Sequence, residues 1–240
     1  MQQTITGLYL NHTNYGDTSV IVKLYTLQYG TVSFIIKGLK RKKGATALLQ
    51  PFHYVELNSN FKPDRDLNFG NNIKLIRPSY SLTTDIRKST VAIFLTDVMS
   101  KTLKESAPSE ETYTVIELLI ESYDKEEFMP LFHFYFLVQL IQLLGVLPDV
   151  GKNNSTDLLH KEKGLFEACA QPDNTYFNLE TSLALKQIIG TKFAEIRELK
   201  WSKKTKNELL KNLVNYIEMQ TEIREGSIVS HQILETIFND

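Results

Sequence analysis

The strongest constraint on the fold is a change of hydrophobic period at Pro78. Before it, apolar residues alternate with polar ones, as they do in a strand with one buried face. Val20, Val22 and Leu24 share one face of Val20–Tyr25, and Val32, Phe34 and Ile36 share one face of Val32–Lys37. Thr4–Asn11, Phe52–Leu57 and Asp66–Ile76 are further strands, the last with a break expected at Gly70. The turn-forming groups Asn14-Tyr15-Gly16-Asp17, Gln28-Tyr29-Gly30 and Lys62-Pro63-Asp64 separate the runs. Five short strands in about 80 residues, with no long helix among them, predict a small closed barrel. An OB-fold is one such solution with few free edges, and an SH3-like barrel shares the pattern.

After Pro78 the spacing becomes helical. Thr84 or Asp85 can cap a helix toward Ser106, with Ile86, Thr90, Ile93, Phe94 and Asp97 at helical intervals, and Pro108 breaks it. Ser109 is the predicted N-cap of a helix to Tyr123, with Glu110 and Glu111 in its first turn. Pro130 suits the first position of an apolar helix ending near Gly145. The run Leu131–Leu147 is interrupted by His133, Gln139, Gln142 and Gly145, short of the roughly 20 apolar residues of a membrane span. Residues 149–179 read as an irregular insert. Helices follow over about 180–190 and 191–200. Thr205-Lys206-Asn207-Glu208 reads as a capping box for a helix to Gln220, and Ser227 or Ser230 opens a last one. The expected class is α+β: a barrel domain over 1–80, then an all-α domain over 81–240 carrying the insert.

Charge is distributed unevenly. The chain of 240 residues has 27 Lys and Arg against 28 Asp and Glu. Residues 1–80 nevertheless hold ten bases and four acids, while the remaining 160 hold 17 bases and 24 acids. Such asymmetry points to an anionic partner for the basic segment. It peaks in Lys37-Gly38-Leu39-Lys40-Arg41-Lys42-Lys43-Gly44, where five cations fall in eight residues with two glycines and no acid. A loop of this composition faces water or a polyanion.

Catalytic signatures are missing. Ala45 follows Gly44 where a P-loop requires lysine, and no G-x-G-x-x-G occurs. The five histidines are dispersed, and His133 on its apolar helix reads as a core residue. The single cysteine, Cys169, excludes an internal disulfide and a zinc site of several thiolates in this sequence. No metal, no cofactor and no enzymatic activity are expected.

A binder of single-stranded nucleic acid needs cations for phosphates and aromatic faces for bases. Lys37, Lys40, Arg41, Lys42 and Lys43 supply the cation loop, with Lys23, Arg65 and Lys74 as further cations. Tyr15 and Tyr25 are candidate stacking residues, with Tyr9, Tyr29, Phe61 and Phe69 also in the segment. Lys23 and Tyr25 fall on the strand face opposite Val20, Val22 and Leu24.

Asn14-Tyr15-Gly16-Asp17-Thr18, Thr26, Gly30, Val32, Lys37-Gly38, Lys40-Arg41 and Leu49-Gln50-Pro51-Phe52, in this order and spacing, resemble the start of the RecO recombination mediators. The stretch Ile223–Phe238 resembles their end. The resemblance implies an N-terminal OB-fold, a helical domain and a zinc-ribbon-like insert, here degenerate because only Cys169 remains. It implies binding of single- and double-stranded DNA, strand annealing, and partnership with RecR. It also implies docking of the C-terminal tail of single-stranded DNA-binding protein, so that RecA is loaded indirectly during repair. Such a tail requires an apolar notch rimmed by cations. Arg197, Lys200, Trp201, Lys203 and Lys204 form one candidate cluster, and Lys101 with Lys104 another. The first residues lack a secretory pattern, and a cytoplasmic, nucleoid-associated bacterial protein with no membrane contact is expected. An OB-fold adaptor for RNA or tRNA, and a scaffold that binds only proteins, remain as alternatives.

Overall fold

The structure, a computed structural model, describes residues 2–42, 44–103, 107–151 and 154–239. The chain divides into two compact units, Met1–Glu126 and Glu127–Asp240.

In the first unit, β1 (Gln3–Tyr15), β2 (Ser19–Thr26), β3 (Gly30–Ile36), β4 (Tyr54–Ser59) and β5 (Leu67–Arg77) close in the order β1-β2-β3-β5-β4. Only β3 and β5 run parallel. This is the OB-like barrel. Closure requires β1 to serve two neighbours: residues 3–8 pair with β4 and residues 8–15 with β2. At Gly7 of β1 a Cβ would lie 2.9 Å from the Cβ of Leu24 and from the carbonyl oxygen of Tyr25, and the register with β2 shifts between Tyr9 and Asn11. At Gly70 the expected break is absent and β5 runs through. A Cβ there would meet Ile36 Cδ1 at 2.7 Å, so the glycine makes room for the core.

The predicted alternation fills the barrel. Val20, Val22, Leu24, Phe34, Ile36, Val55 and Leu57 are buried together with Ile5 and Tyr9. Burying each such side chain contributes about 1.5–3 kcal/mol. After β3 the chain makes two 3₁₀ turns, Leu39–Arg41 and Ala45–Leu48. Leu39 and Leu49 are buried in the same core. The basic segment is thus anchored by apolar side chains on either side of it.

Three helices complete this unit: α1 (Tyr80–Thr84), α2 (Ile86–Thr102) and α3 (Glu110–Lys125). Asp85 caps α2, accepting from the Arg87 amide at 2.9 Å, and Ser109 caps α3, accepting from the Thr112 amide at 3.1 Å. Tyr113 of α3 lies against Tyr25 and Tyr54 of the barrel, with ring centroids 6.0 and 6.2 Å away. The buried Lys88 ammonium donates to the carbonyl oxygens of Tyr123 at 2.8 Å and Asp124 at 3.3 Å, and to that of Glu126. It satisfies the orphan acceptors at the end of α3. Burial would raise the Asp124 carboxyl, but hydrogen bonds from Ser81 and Ser79 outweigh it and hold the group below its ordinary range.

The second unit contains α4 (Phe132–Leu143), the hairpin β6 (Leu158–His160) and β7 (Leu165–Glu167), α5 (Leu179–Gly190), a 3₁₀ turn Phe193–Glu198, α6 (Lys203–Gln220) and α7 (His231–Asn239). Two boundaries differ from expectation. Pro130 lies two residues before Phe132, the first position of α4, on the far side of the N-cap Leu131. The cap of α6 is Ser202, whose hydroxyl accepts from the Thr205 amide at 3.0 Å, so Thr205 lies inside the helix.

The insert is held by the buried Phe166 and Phe177, whereas Leu179 is exposed at the start of α5. Its residues do not fit a zinc site. Cys169 is the sole thiol, the Nδ1 of His160 accepts from the Lys163 amide at 3.4 Å, and no group of three or more His, Cys, Asp or Glu is gathered among the described residues. Among those residues, no helix is long and apolar enough to cross a membrane.

Candidate nucleic-acid interface

Alternation that points Val22 and Phe34 inward points their neighbours outward. Lys23 stands opposite Ser33 across β2 and β3, and Ile21 opposite Ile35. On β5, Leu67 stands opposite Ser33 and Phe69 opposite Ile35. OB-folds present the face of strands 2 and 3, flanked by the β1–β2 and β4–β5 loops, to oligonucleotides.

Pairing of β3 with β5 starts only at Ser33, and the β4–β5 loop swings away below it. The opening is a cleft of about 560 Å³ lined by Lys23, Tyr29, Ser33, Phe61, Arg65 and Asp66, among others. Tyr29 and Phe61 pack on each other with centroids 4.2 Å apart and ring planes tilted by 40°. Both walls are shaped by short polar side chains. Thr26 Oγ1 donates to the Gly30 carbonyl at 3.0 Å and accepts from the Tyr29 amide at 3.1 Å, fixing the β2–β3 turn. The buried Asn68 accepts from the Lys62 amide at 2.9 Å and donates to the carbonyls of Lys62 and Arg65, each at 3.2 Å. Those three bonds set the course of the loop that carries Arg65.

At the opposite end of β3, the Lys37 ammonium lies 4.8 Å from the centre of the Phe69 ring. Lys40 is tied back to the β1–β2 turn, its amide donating to the Thr18 carbonyl and its ammonium to the Gly16 carbonyl. Arg41 and Lys42 are exposed beside it, and Tyr15 is 51% exposed at the end of β1. Lys43 lies outside the described residues.

The structure therefore brings Lys23, Arg65 and Lys37 to one outer face, with the Lys40–Lys42 segment and Tyr15 at its end. Two expected members do not join them. Tyr25 is 1% exposed because Tyr113 covers its ring, and burial raises its hydroxyl. Lys74 lies on the β4–β5 ladder opposite Glu56, whose carboxylate is 4.0 Å from its ammonium. The aromatics beside these cations are Phe69, under Lys37, and Tyr29 and Phe61, which pack partly buried against the barrel core at the cleft.

Comparison with known families settles which lineage this barrel belongs to. Residues 1–79 match the family described as "Recombination protein O N terminal", and residues 83–227 match "Recombination protein O C terminal". The chain belongs to the RecO family. Similar chains named DNA repair protein RecO include that of Christiangramia forsetii, 26% identical over 211 residues covering 87% of each chain. That of Flavobacterium psychrophilum is 26% identical over 222 residues, covering 90% of this chain and 91% of its own. That of Phocaeicola vulgatus is 31% identical over 152 residues, covering 62% and 63%.

The helical unit of this RecO-family chain holds a separate apolar groove of about 230 Å³. Phe128, Pro130, Phe134, Leu210 and Leu234 line it, with Lys203 and Lys206 among its polar residues. The cation cluster expected in this region is dispersed. Only Lys203 reaches the groove. Arg197 donates to the Glu127 carbonyl at 3.0 Å, Trp201 to Gln187 Oε1 at 2.8 Å, and Lys204 pairs with Glu208 at 3.9 Å. Lys200 is exposed and does not line the groove. Lys206, three residues beyond Lys203 on the same helix face, takes the second position. In the other expected cluster, Lys101 pairs with Asp97 at 2.8 Å, and Lys104 lies outside the described residues. His133 beside the groove is a core histidine, and burial lowers its ring to about 3.

Proposed function

We propose that the chain is a DNA-binding and strand-annealing recombination mediator that catalyses no bond change. Its barrel binds single- and double-stranded DNA, and the chain works with RecR and the C-terminal tail of single-stranded DNA-binding protein so that RecA is loaded during repair in the cytoplasm. The observation that carries this reading is the gathering of Lys23, Arg65 and Lys37 with Tyr29, Phe61 and Phe69 on the β2–β3–β5 face of an OB-like barrel. Cations there neutralise phosphates and release counterions, and aromatic faces accept unstacked bases. Membership of a family whose relatives are named as DNA repair proteins supports the choice of DNA.

The groove beside Lys203 and Lys206 suits the tail in this reading. An apolar side chain fills a notch floored by Phe134 and Leu210, and the terminal carboxylate meets the ammonium groups.

The test is annealing of complementary strands coated with single-stranded DNA-binding protein, comparing the native chain with a variant carrying Lys40→Ala, Arg41→Ala, Lys42→Ala and Lys43→Ala. The native chain should anneal, and the variant should bind all DNA sequences more weakly. Tighter binding to RNA of the same sequence than to single-stranded DNA would favour the RNA adaptor instead. No nucleic-acid affinity at low salt would favour the protein scaffold.

A further inference from the structure

Among the described residues of the barrel strands, Tyr15 and Phe69 are the aromatics that are more than half exposed. Phe69 is 55% exposed on the outer side of β5, while its chain neighbours Asn68 and Gly70 are buried on the opposite side of the strand. A lone exposed apolar residue is ordinary on a protein surface. Its surroundings distinguish this one. Lys37 caps the ring, Lys23 and Arg65 line the cleft along the same strands, and Arg41 and Lys42 follow at the other end. Positive charge thus flanks a ring that is more than half exposed.

We infer that Phe69 is a base-stacking platform that favours single-stranded over double-stranded nucleic acid, with Lys37 passing from the ring to a phosphate when a strand binds. This inference rests on the barrel reading above and adds a specificity-determining residue to it. A strand that lays a base on the capped ring face displaces the ammonium, and also supplies the phosphate that the ammonium then meets. The exchange is favourable. Stacking a base on an aromatic side chain strengthens binding by about five- to hundredfold, whereas a solvent-exposed cation over a ring contributes about two- to fivefold. Paired bases in a duplex are already stacked and cannot reach the ring, so the gain belongs to single strands.

The test uses the full chain with three probes of equal length: oligo(dT), an abasic strand with the same phosphates, and a duplex. Phe69→Ala should weaken oligo(dT) binding about five- to hundredfold and change abasic and duplex binding less than about twofold. Phe69→Leu, which retains apolar volume without the π face, should behave like Phe69→Ala. Phe69→Trp in a Trp201→Phe background should retain oligo(dT) binding and show indole quenching by oligo(dT) but not by the abasic strand. Equal losses on all three probes, or none on oligo(dT), would overturn the platform while leaving the barrel reading intact. A native chain that binds none of the probes would overturn the barrel reading itself.

Discussion

The ammonium of Lys40 donates to the carbonyl oxygen of Gly16 at 3.0 Å, joining the most basic segment of the chain to the β1–β2 turn. The bond is reinforced by the Lys40 amide on the Thr18 carbonyl at 3.1 Å. One of the loop cations is therefore a brace for its neighbours.

A distinction between Lys40 and the other loop cations follows. Replacing Lys37, Arg41 or Lys42 by Ala should each make the salt dependence of oligo(dT) binding shallower by about 0.7. Lys40→Ala should change that slope less, yet speed amide exchange at residues 38–42. Fluorescence anisotropy across a salt series and hydrogen exchange measure the two effects separately. A Lys40→Ala slope change as large as the others, with unaltered exchange, would make it an ordinary phosphate contact.

Asn68 should prove more important than its lack of charge suggests. Asn68→Ala leaves the Lys62 amide and the Lys62 and Arg65 carbonyls without their side-chain partner. Losing hydrogen bonds to a buried polar side chain costs about 1–3 kcal/mol, and the loop bearing Arg65 loses its course. Urea denaturation should show the destabilisation, and oligo(dT) binding should weaken although no cation has been removed. Unchanged stability and affinity would mean that the loop holds its shape by other means.

Stability of the helical unit should decline in mild acid through His133. Burial keeps its ring neutral in the folded chain, with its pKa lowered to about 3 from an ordinary value of 6.5. The unfolded chain binds the extra proton below pH 6.5, so the contribution is complete above that value and is lost progressively toward about 3. One proton gives a slope of at most about 1.4 kcal/mol per pH unit. Urea denaturation of native and His133→Leu chains over this range should show a smaller pH dependence in the variant. Parallel curves would place the titration elsewhere.

The groove reading predicts a charge effect at two lysines of α6. Lys203→Glu with Lys206→Glu should weaken binding of an acidic peptide with an apolar C-terminal residue by tenfold or more, while oligo(dT) binding persists. Anisotropy of the labelled peptide decides it, and undiminished peptide binding would remove the groove from the account.

Much of this architecture was legible in the chain because its strands and caps are local. Period-two alternation placed Val20, Val22, Leu24, Phe34 and Ile36 inside the barrel, and Ser109 and Asp85 cap the predicted helices. The same alternation placed Tyr25 outward correctly but carried no information that Tyr113, 88 positions later, would cover it. Lys74 stands apart from the other cations for a related reason: periodicity assigns a face of a strand but not which neighbour pairs beside it. Asn68 and Lys206 were missed because their surroundings, the β4–β5 loop and the apolar groove, form only in the folded chain. The cation loop was visible because a block of like charge is a local property.

In the proposed function, the β2–β3–β5 face of the barrel, and not positive charge in general, grips the strand. Its most direct test is oligo(dT) affinity at low salt for a chain carrying Lys23→Glu and Arg65→Glu, set against one carrying Lys74→Glu. At least a tenfold loss is expected for the first and less than a twofold change for the second. Equal losses in both, or no loss in the first, would contradict it.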